Sequence, residues 1–186
     1  MIDPGDSIKP VTFMLAIMNS LLFLATWLEP SLLGIMRQDN NEVFHGEIYR
    51  LFTAMVVHAD IYHLLSNLAF LIIFGFQAEA HLGKFHLLAL YLLSGMVGNF
   101  ASLFLLPRFA LSLGASGAIF GVLVSNFTHD KSSLPLSFIF LGFFVLVSIG
   151  QNVNSWSHFF GGIVGIVYAW CFNTHRQHEI LDDGIP

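Results

Sequence analysis

Charge is scarce in this chain. Lys, Arg, Asp and Glu together make up 10% of its 186 residues, where an ordinary soluble domain carries roughly 25%. Cysteine is almost missing as well: Cys171 stands alone, so an internal disulfide is excluded and cysteine usage gives no reading of the redox compartment. The net charge of −5 is scattered over loops and tails, and no basic patch suggests nucleic acid. Neither an internal repeat nor a low-complexity segment stands out. The start "MIDPGDSIKP" is net acidic and leads into a long apolar stretch. A secretion signal has a basic start and a short apolar core, so the first segment is expected to be a retained helix.

What the chain has in abundance is apolar sequence, at 55%. The charge-free runs cover 10–28, 61–78, 85–107 and 109–129, followed by an unbroken run over 132–175. A bilayer crossing takes about 20 helical residues, so the last run must hold two crossings, with the polar "GQNVNSWSH" at 150–158 as the turn between them. The expected fold is an all-α bundle of six transmembrane helices, one polytopic membrane domain over residues 1–186. Its spans fall at about 10–29, 53–80, 85–107, 115–129, 133–150 and 155–173. Short connections make sequence neighbours antiparallel and adjacent. The exception, residues 30–52, is too long for a turn and too apolar for a free linker, and is expected to lie on or partly in the bilayer. Six spans put both termini on one side. Lys9, Lys84, Lys131 and Arg176 then oppose Arg37, Arg50 and Arg108, a bias toward cytoplasmic termini.

Polar residues inside a bilayer are costly, so their positions carry information. Span 2 holds His58, His63 and Asn67, span 4 holds Ser116, and span 6 holds Asn154 and His158. These spans run in the same direction, and each carries its polar residues in its first half, so all of them reach one depth at the non-cytoplasmic end. His63 and Asn67, four apart, share a helix face. The break at "PRFALSLG" (107–114) keeps the fourth helix from starting before Ala115, so Ser116 begins its helix below the membrane surface. The unpaired first-turn amides there require shelter or water, and they suit a developing oxyanion.

A serine hydroxyl becomes a nucleophile once a base takes its proton, and histidine is the usual base. His158 is the first candidate and His63 the second. No carboxylate lies in the outer half of spans 4 or 6: Asp60 is near the mouth of span 2, and Glu79 is at the opposite, cytoplasmic end. The chemistry expected is a Ser–His dyad without an acid, with His63, Asn67 and the Ser116 backbone N–H as oxyanion donors. Gly117 and Gly121 form one small-residue face, and Gly161 and Gly165 another that also carries His158, so close helix packing would bring His158 to Ser116.

Other readings compete. Taken alone, "GASGAIFG" (114–121) is a helix-packing motif, and Ala118 breaks the G-x-S-x-G elbow pattern. His58, His63 and His158 could be weighed as metal ligands, but the zinc-protease H-E-x-x-H is absent and His58 and His63, five apart, share a helix face poorly; no metal and no cofactor are expected. Glu79 and Lys84 read as edge charges, Glu47 and Arg50 as a structural ion pair, the twenty phenylalanines as lipid-facing or packing residues, and "RQHEILDDGIP" as a solvated tail.

Together these residues resemble the rhomboid intramembrane serine proteases. That family's G-x-S-G is similar to Gly114-Ala115-Ser116-Gly117, and its A-H-x-x-G-x-x-x-G to Ser157-His158 through Gly161 and Gly165. Its H-x-x-x-x-H-x-x-x-N is similar to His58, His63 and Asn67; "YLLSGMVGN" (91–99) looks like its third span, and "EIYR" (47–50) like its first-loop segment. The resemblance implies a minimal six-span bacterial rhomboid in the inner membrane. It implies a Ser116–His158 dyad that cuts peptide bonds in or beside transmembrane segments of substrate proteins, which enter laterally past spans 2 and 5. It also implies Phe120 as the aromatic packed on the base. The departures are Tyr49 in place of a frequent tryptophan and Ser157 in place of alanine. A catalytically silent rhomboid-like protein that binds membrane clients is the alternative, which intact Ser116 and His158 argue against. A small transporter would be expected to show repeats or a mid-membrane carboxylate.

Overall fold

The computed structural model describes residues 9–128, 132–148 and 153–182, and over these it is mostly helical. The acidic start at 1–8, Lys131, the 150–152 part of the expected turn and the tail end at 183–186 lie outside the described residues.

Helix α1 (Pro10–Leu28) opens on proline, whose missing N–H costs nothing in a first turn, and ends at Glu29, which the following Pro30 keeps out of the helical region. Its burial pattern is inverted relative to a water-soluble protein. Thr12, Asn19 and Thr26 face inward beside Leu15, while Phe13, Ile17, Leu21 and Leu24 face out. Such an exposed apolar surface is stable against lipid rather than water.

Residues 30–56 fold into short pieces: α2 (Pro30–Met36), strand β1 (Gln38–Asp39), α3 (Asn40–Phe44), α4 (Arg50–Thr53) and a 3-10 turn over Ala54–Val56. Arg50 clasps them together. Its Nε donates to Glu47 at 2.6 Å, and its Nη1 donates to the carbonyls of Gly34 and Arg37 at 2.7 and 3.0 Å. Thr53 Oγ1 donates to the Met36 carbonyl at 2.6 Å. The structural ion pair read from the sequence is therefore present, and it does more than expected, because the guanidinium also satisfies two loop carbonyls.

The next helix, α5, spans Ile61–Leu82, which corrects the expected start of the second span at residue 53. Asp60 caps it by accepting the His63 N–H at 2.9 Å, and the four residues before Ile61 leave the helix. His58 therefore sits in the approach to the helix and not on it. Gly83, at φ +86°, turns the chain into α6 (Lys84–Leu105). Strand β2 (Leu111–Ser112) pairs antiparallel with β1, Gln38 opposite Ser112. Then follow α7 (Ser116–Ser125), α8 (Leu134–Ser148) and α9 (Ser155–Asp182). α9 passes the expected end at 173, so the first part of the tail is helix.

Among the described residues α1, α5 and α6 are each long and apolar enough to cross a membrane. α7 has 10 residues, a rise of about 15 Å, half a bilayer core. Eight of its residues are buried, because it is apolar on every side and is packed by α5, α6 and α9.

Glu79, read as an edge charge, lies at the start of α1. It is buried, and its carboxylate accepts the Val11 N–H at 3.0 Å, the Thr12 N–H at 2.9 Å and the Thr12 hydroxyl at 2.7 Å. The first amides of α1 have no acceptor in their own helix, and a carboxylate at that end also meets the positive pole of the helix dipole. Gly75, one turn earlier, lets the two helices close: a Cβ there would stand 2.9 Å from Thr12 Cγ2.

Candidate active site

Ser116 is the first residue of α7, and His158 lies in the first turn of α9. The His158 Nε2 to Ser116 Oγ distance is 2.7 Å. The imidazole is buried and stacks on Phe120, ring centroids 4.1 Å apart and planes 11° from parallel. The aromatic face fixes the plane of the ring whose nitrogen meets the hydroxyl.

Glycines make this approach possible. Added Cβ atoms at Gly161 and Gly165 would overlap the carbonyls of Gly117 and Gly121, and one at Gly117 would overlap Ser157. The two helices therefore touch backbone to backbone. α6 joins the same crossing, a contribution that reading spans 4 and 6 alone missed. Ser94 fills the space beside Gly121, and a Cβ on Gly98 would stand 2.6 Å from the Ser157 carbonyl oxygen. The small-residue spacing at Ser94, Gly95 and Gly98 was the available signal.

His63, half-buried on α5, packs against the loop before α7. Gly114 is at φ +113°, and a Cβ there would lie 2.7 Å from the His63 ring. Glycine is thus required twice, by backbone conformation and by contact. Gly114 N–H donates to the Ala54 carbonyl at 2.8 Å, anchoring the loop before α7 to the segment before α5. Asn67 is buried, and its Nδ2 donates to the His63 carbonyl at 2.9 Å, leaving the second amide proton for another acceptor. His58 is buried with its ring edge-on to His63, centroids 5.1 Å apart; neither ring nitrogen has a hydrogen-bond partner among the described residues.

Asn154, counted with the converging polar residues, has a different task. Its Oδ1 accepts the Ser157 N–H at 3.0 Å, which makes it the N-cap of α9, and its Nδ2 donates to Ser112 Oγ at 3.0 Å. Ser157 in turn donates to Asn99 Oδ1 at 3.3 Å, and Asn99 Nδ2 donates to the Leu51 carbonyl at 2.8 Å. The start of α9 is thereby tied to β2, to α6 and to the first loop. The hydroxyl of Ser157, where alanine was the family expectation, takes part in that tie.

A hydroxyl against an imidazole, at the open amide end of a short buried helix, is an arrangement in which the ring nitrogen can take the hydroxyl proton.

The model of the Rhomboid domain matches residues 45–175. The chain is 34% identical to the putative rhomboid protease YdcA of Bacillus subtilis, covering 86% of this chain and 86% of that protein. It is 27% identical to the rhomboid protease GlpG of Haemophilus influenzae, over 91% of this chain and 94% of that one. Identity to the chloroplastic rhomboid-like protein 11 of Arabidopsis thaliana is 37%, over 73% of this chain and 56% of the relative. The chain spans about half the length of the plant relatives it matches.

Proposed function

The chain belongs to the rhomboid family, and on that footing we propose that it is an intramembrane serine endopeptidase that hydrolyses peptide bonds in or next to transmembrane segments of other membrane proteins. One observation carries the reading: the 2.7 Å approach of His158 Nε2 to Ser116 Oγ beneath the Phe120 ring.

Ser116 Oγ attacks the scissile carbonyl carbon while its proton passes to His158 Nε2. The carbonyl electron pair moves onto oxygen, where the Ser116 N–H, the Asn67 amide and the His63 ring donate to it. His158 returns the proton to the departing nitrogen as the C–N bond breaks, which leaves an ester on Ser116. Water, deprotonated by His158, attacks that ester; the acid product leaves and Ser116 recovers its proton. Phe120 and the glycine crossing hold the base in place.

In this reading α1, α5, α6, α7, α8 and α9 are six spans of a single polytopic domain, with segment 30–56 seated at the outer surface. Both termini face the cytoplasm of a bacterial inner membrane, in keeping with the bacterial relatives YdcA and GlpG. Substrate helices enter between α5 and α8.

The test is serine-directed fluorophosphonate labelling of the purified, folded protein together with cleavage of a reporter membrane substrate. Wild type should be labelled and should cut. Ser116→Ala should do neither, and His158→Ala should label and cut at a small fraction of the wild-type rate. Cleavage by Ser116→Ala would overturn the assignment, and folded wild type that neither labels nor cuts would leave a rhomboid-like client-binding protein.

A further inference from the structure

One cavity is lined by neither Ser116 nor His158. It is an open groove between α6 and α9, of about 930 Å³, within the usual size range of ligand pockets. From His158 to its outer rim at His175, α9 advances 17 residues, about 26 Å. The groove therefore starts at Ile163, about 8 Å along α9 from His158, and opens away from the dyad.

The groove is polar at one end and apolar along the rest. α6 enters at His86 and runs inward to Leu93; α9 brings Ile163, Val164 and Val167 at the deep end and then exits past Tyr168 to His175. Its stretch from Ile163 to His175 is about 18 Å long, close to one leaflet of the roughly 30 Å hydrocarbon core.

The mouth is already assembled. His86 Nδ1 and the Tyr168 hydroxyl are 2.8 Å apart, and the His86 ring sits edge-on to Phe172 with centroids 4.7 Å apart. Neutral histidine carries one N–H and tyrosine one O–H. Whichever tautomer is present, one of those protons lies between the two groups and the other remains to be donated. The pair thus offers one preset donor at the groove mouth, at the level where the wall changes from apolar to polar.

We propose that this groove binds a membrane glycerophospholipid, one acyl chain lying along Leu93, Ile163, Val164 and Val167 and the phosphate accepting from the His86–Tyr168 pair, with His175 at the rim. Water in the apolar part would be unfavourable. An apolar peptide helix lacks the anionic head that the donor at the mouth would meet. A bound lipid would bridge α6 and α9, the helices that enclose α7.

Delipidated protein in detergent, offered phosphatidylglycerol, phosphatidylcholine or diacylglycerol in turn, is examined by native mass spectrometry. One molecule of either phospholipid per chain should be retained, and diacylglycerol several-fold less. The double variant His86→Phe/Tyr168→Phe should lose that preference for a phosphate, and Val167→Trp, which fills the deep end, should retain neither phospholipid. Circular dichroism melts verify that the variants fold. Cys171, the single cysteine of the chain, is exposed and lines the groove; either phospholipid should slow its alkylation by maleimide several-fold. Equal retention of diacylglycerol, undiminished retention by Val167→Trp, or unchanged Cys171 alkylation would each overturn the proposal. None of these results depends on whether the chain is a protease.

Discussion

Gly161 of α9 rests directly against the carbonyl of Gly117 of α7. This contact sets the distance between the helix that carries His158 and the helix that begins with Ser116. The position of the base is thus a packing property of two glycines, and it leads to the first prediction. Gly161→Ala should force the helices apart, since its Cβ meets backbone that cannot rotate away. An overpacking cost of about 1–3 kcal/mol is expected, seen as a lower melting temperature. Fluorophosphonate labelling should fall by far more than the loss of folded protein, because the Ser116–His158 contact opens. Unchanged labelling would mean that the crossing does not set the dyad.

The oxyanion reading predicts a split between formation of the nucleophile and stabilisation of the tetrahedral state. Asn67→Ala leaves Ser116, His158 and Phe120 in contact but removes one donor. Turnover of a reporter substrate should drop by about 10²–10³, mostly in kcat. A change confined to KM would instead make Asn67 a substrate-binding residue.

Glu79 serves stability and not the reaction. Glu79→Gln removes the charge that accepts two amides and a hydroxyl at the start of α1. Hydrogen bonds to a charged group contribute about 1.5–3 kcal/mol, so the melting temperature should fall clearly, while labelling per folded molecule stays near wild type. Thr12→Val should show part of the same loss. A Glu79→Gln variant as stable as wild type would remove the clamp from the account.

In the first loop, the Arg50 guanidinium beside Glu47, together with the Tyr49 hydroxyl, holds the Glu47 carboxyl below the usual carboxylate range. A carboxyl whose folded value is depressed contributes stability that is present above its unfolded value and is lost as pH falls through the folded one. Wild type should therefore exceed Glu47→Gln in melting temperature above pH about 4.3, and the gap should close with further acidification. The Glu47 side chain is exposed and its charge is screened, so the gap should be small and should shrink in high salt. A gap that widened in acid would contradict the assignment.

The site was legible because polar residues are rare in this chain and each one therefore carried weight. Ser116, His158, His63 and Asn67 stood out against apolar runs, and the glycine spacing on two spans suggested which helices would touch. Other features were hidden for specific reasons. Nothing in a periodicity distinguishes a solvated carboxylate at a membrane edge from one folded onto the start of another helix, so the contact of Glu79 with α1 was not foreseen. The second span was begun too early because "FTAMVV" is as apolar as the helix that follows, and the Asp60 cap lay within the apolar stretch. Ser94 and Gly98 went unassigned because small residues on a third span do not announce which neighbour they face.

The sequence by itself determined that the chain is a membrane protein, where its apolar segments lie, and which few side chains could do chemistry. Burial of charge is too costly in lipid for composition to permit another answer. Only the tertiary structure decided that α7 stops after ten residues inside a ring of helices, that Glu79 closes α1 onto α5, and that His158 meets Ser116 at hydrogen-bond distance. Those outcomes depend on how closely backbones approach one another, and that distance is set jointly by glycines far apart in the chain, none of which defines it alone.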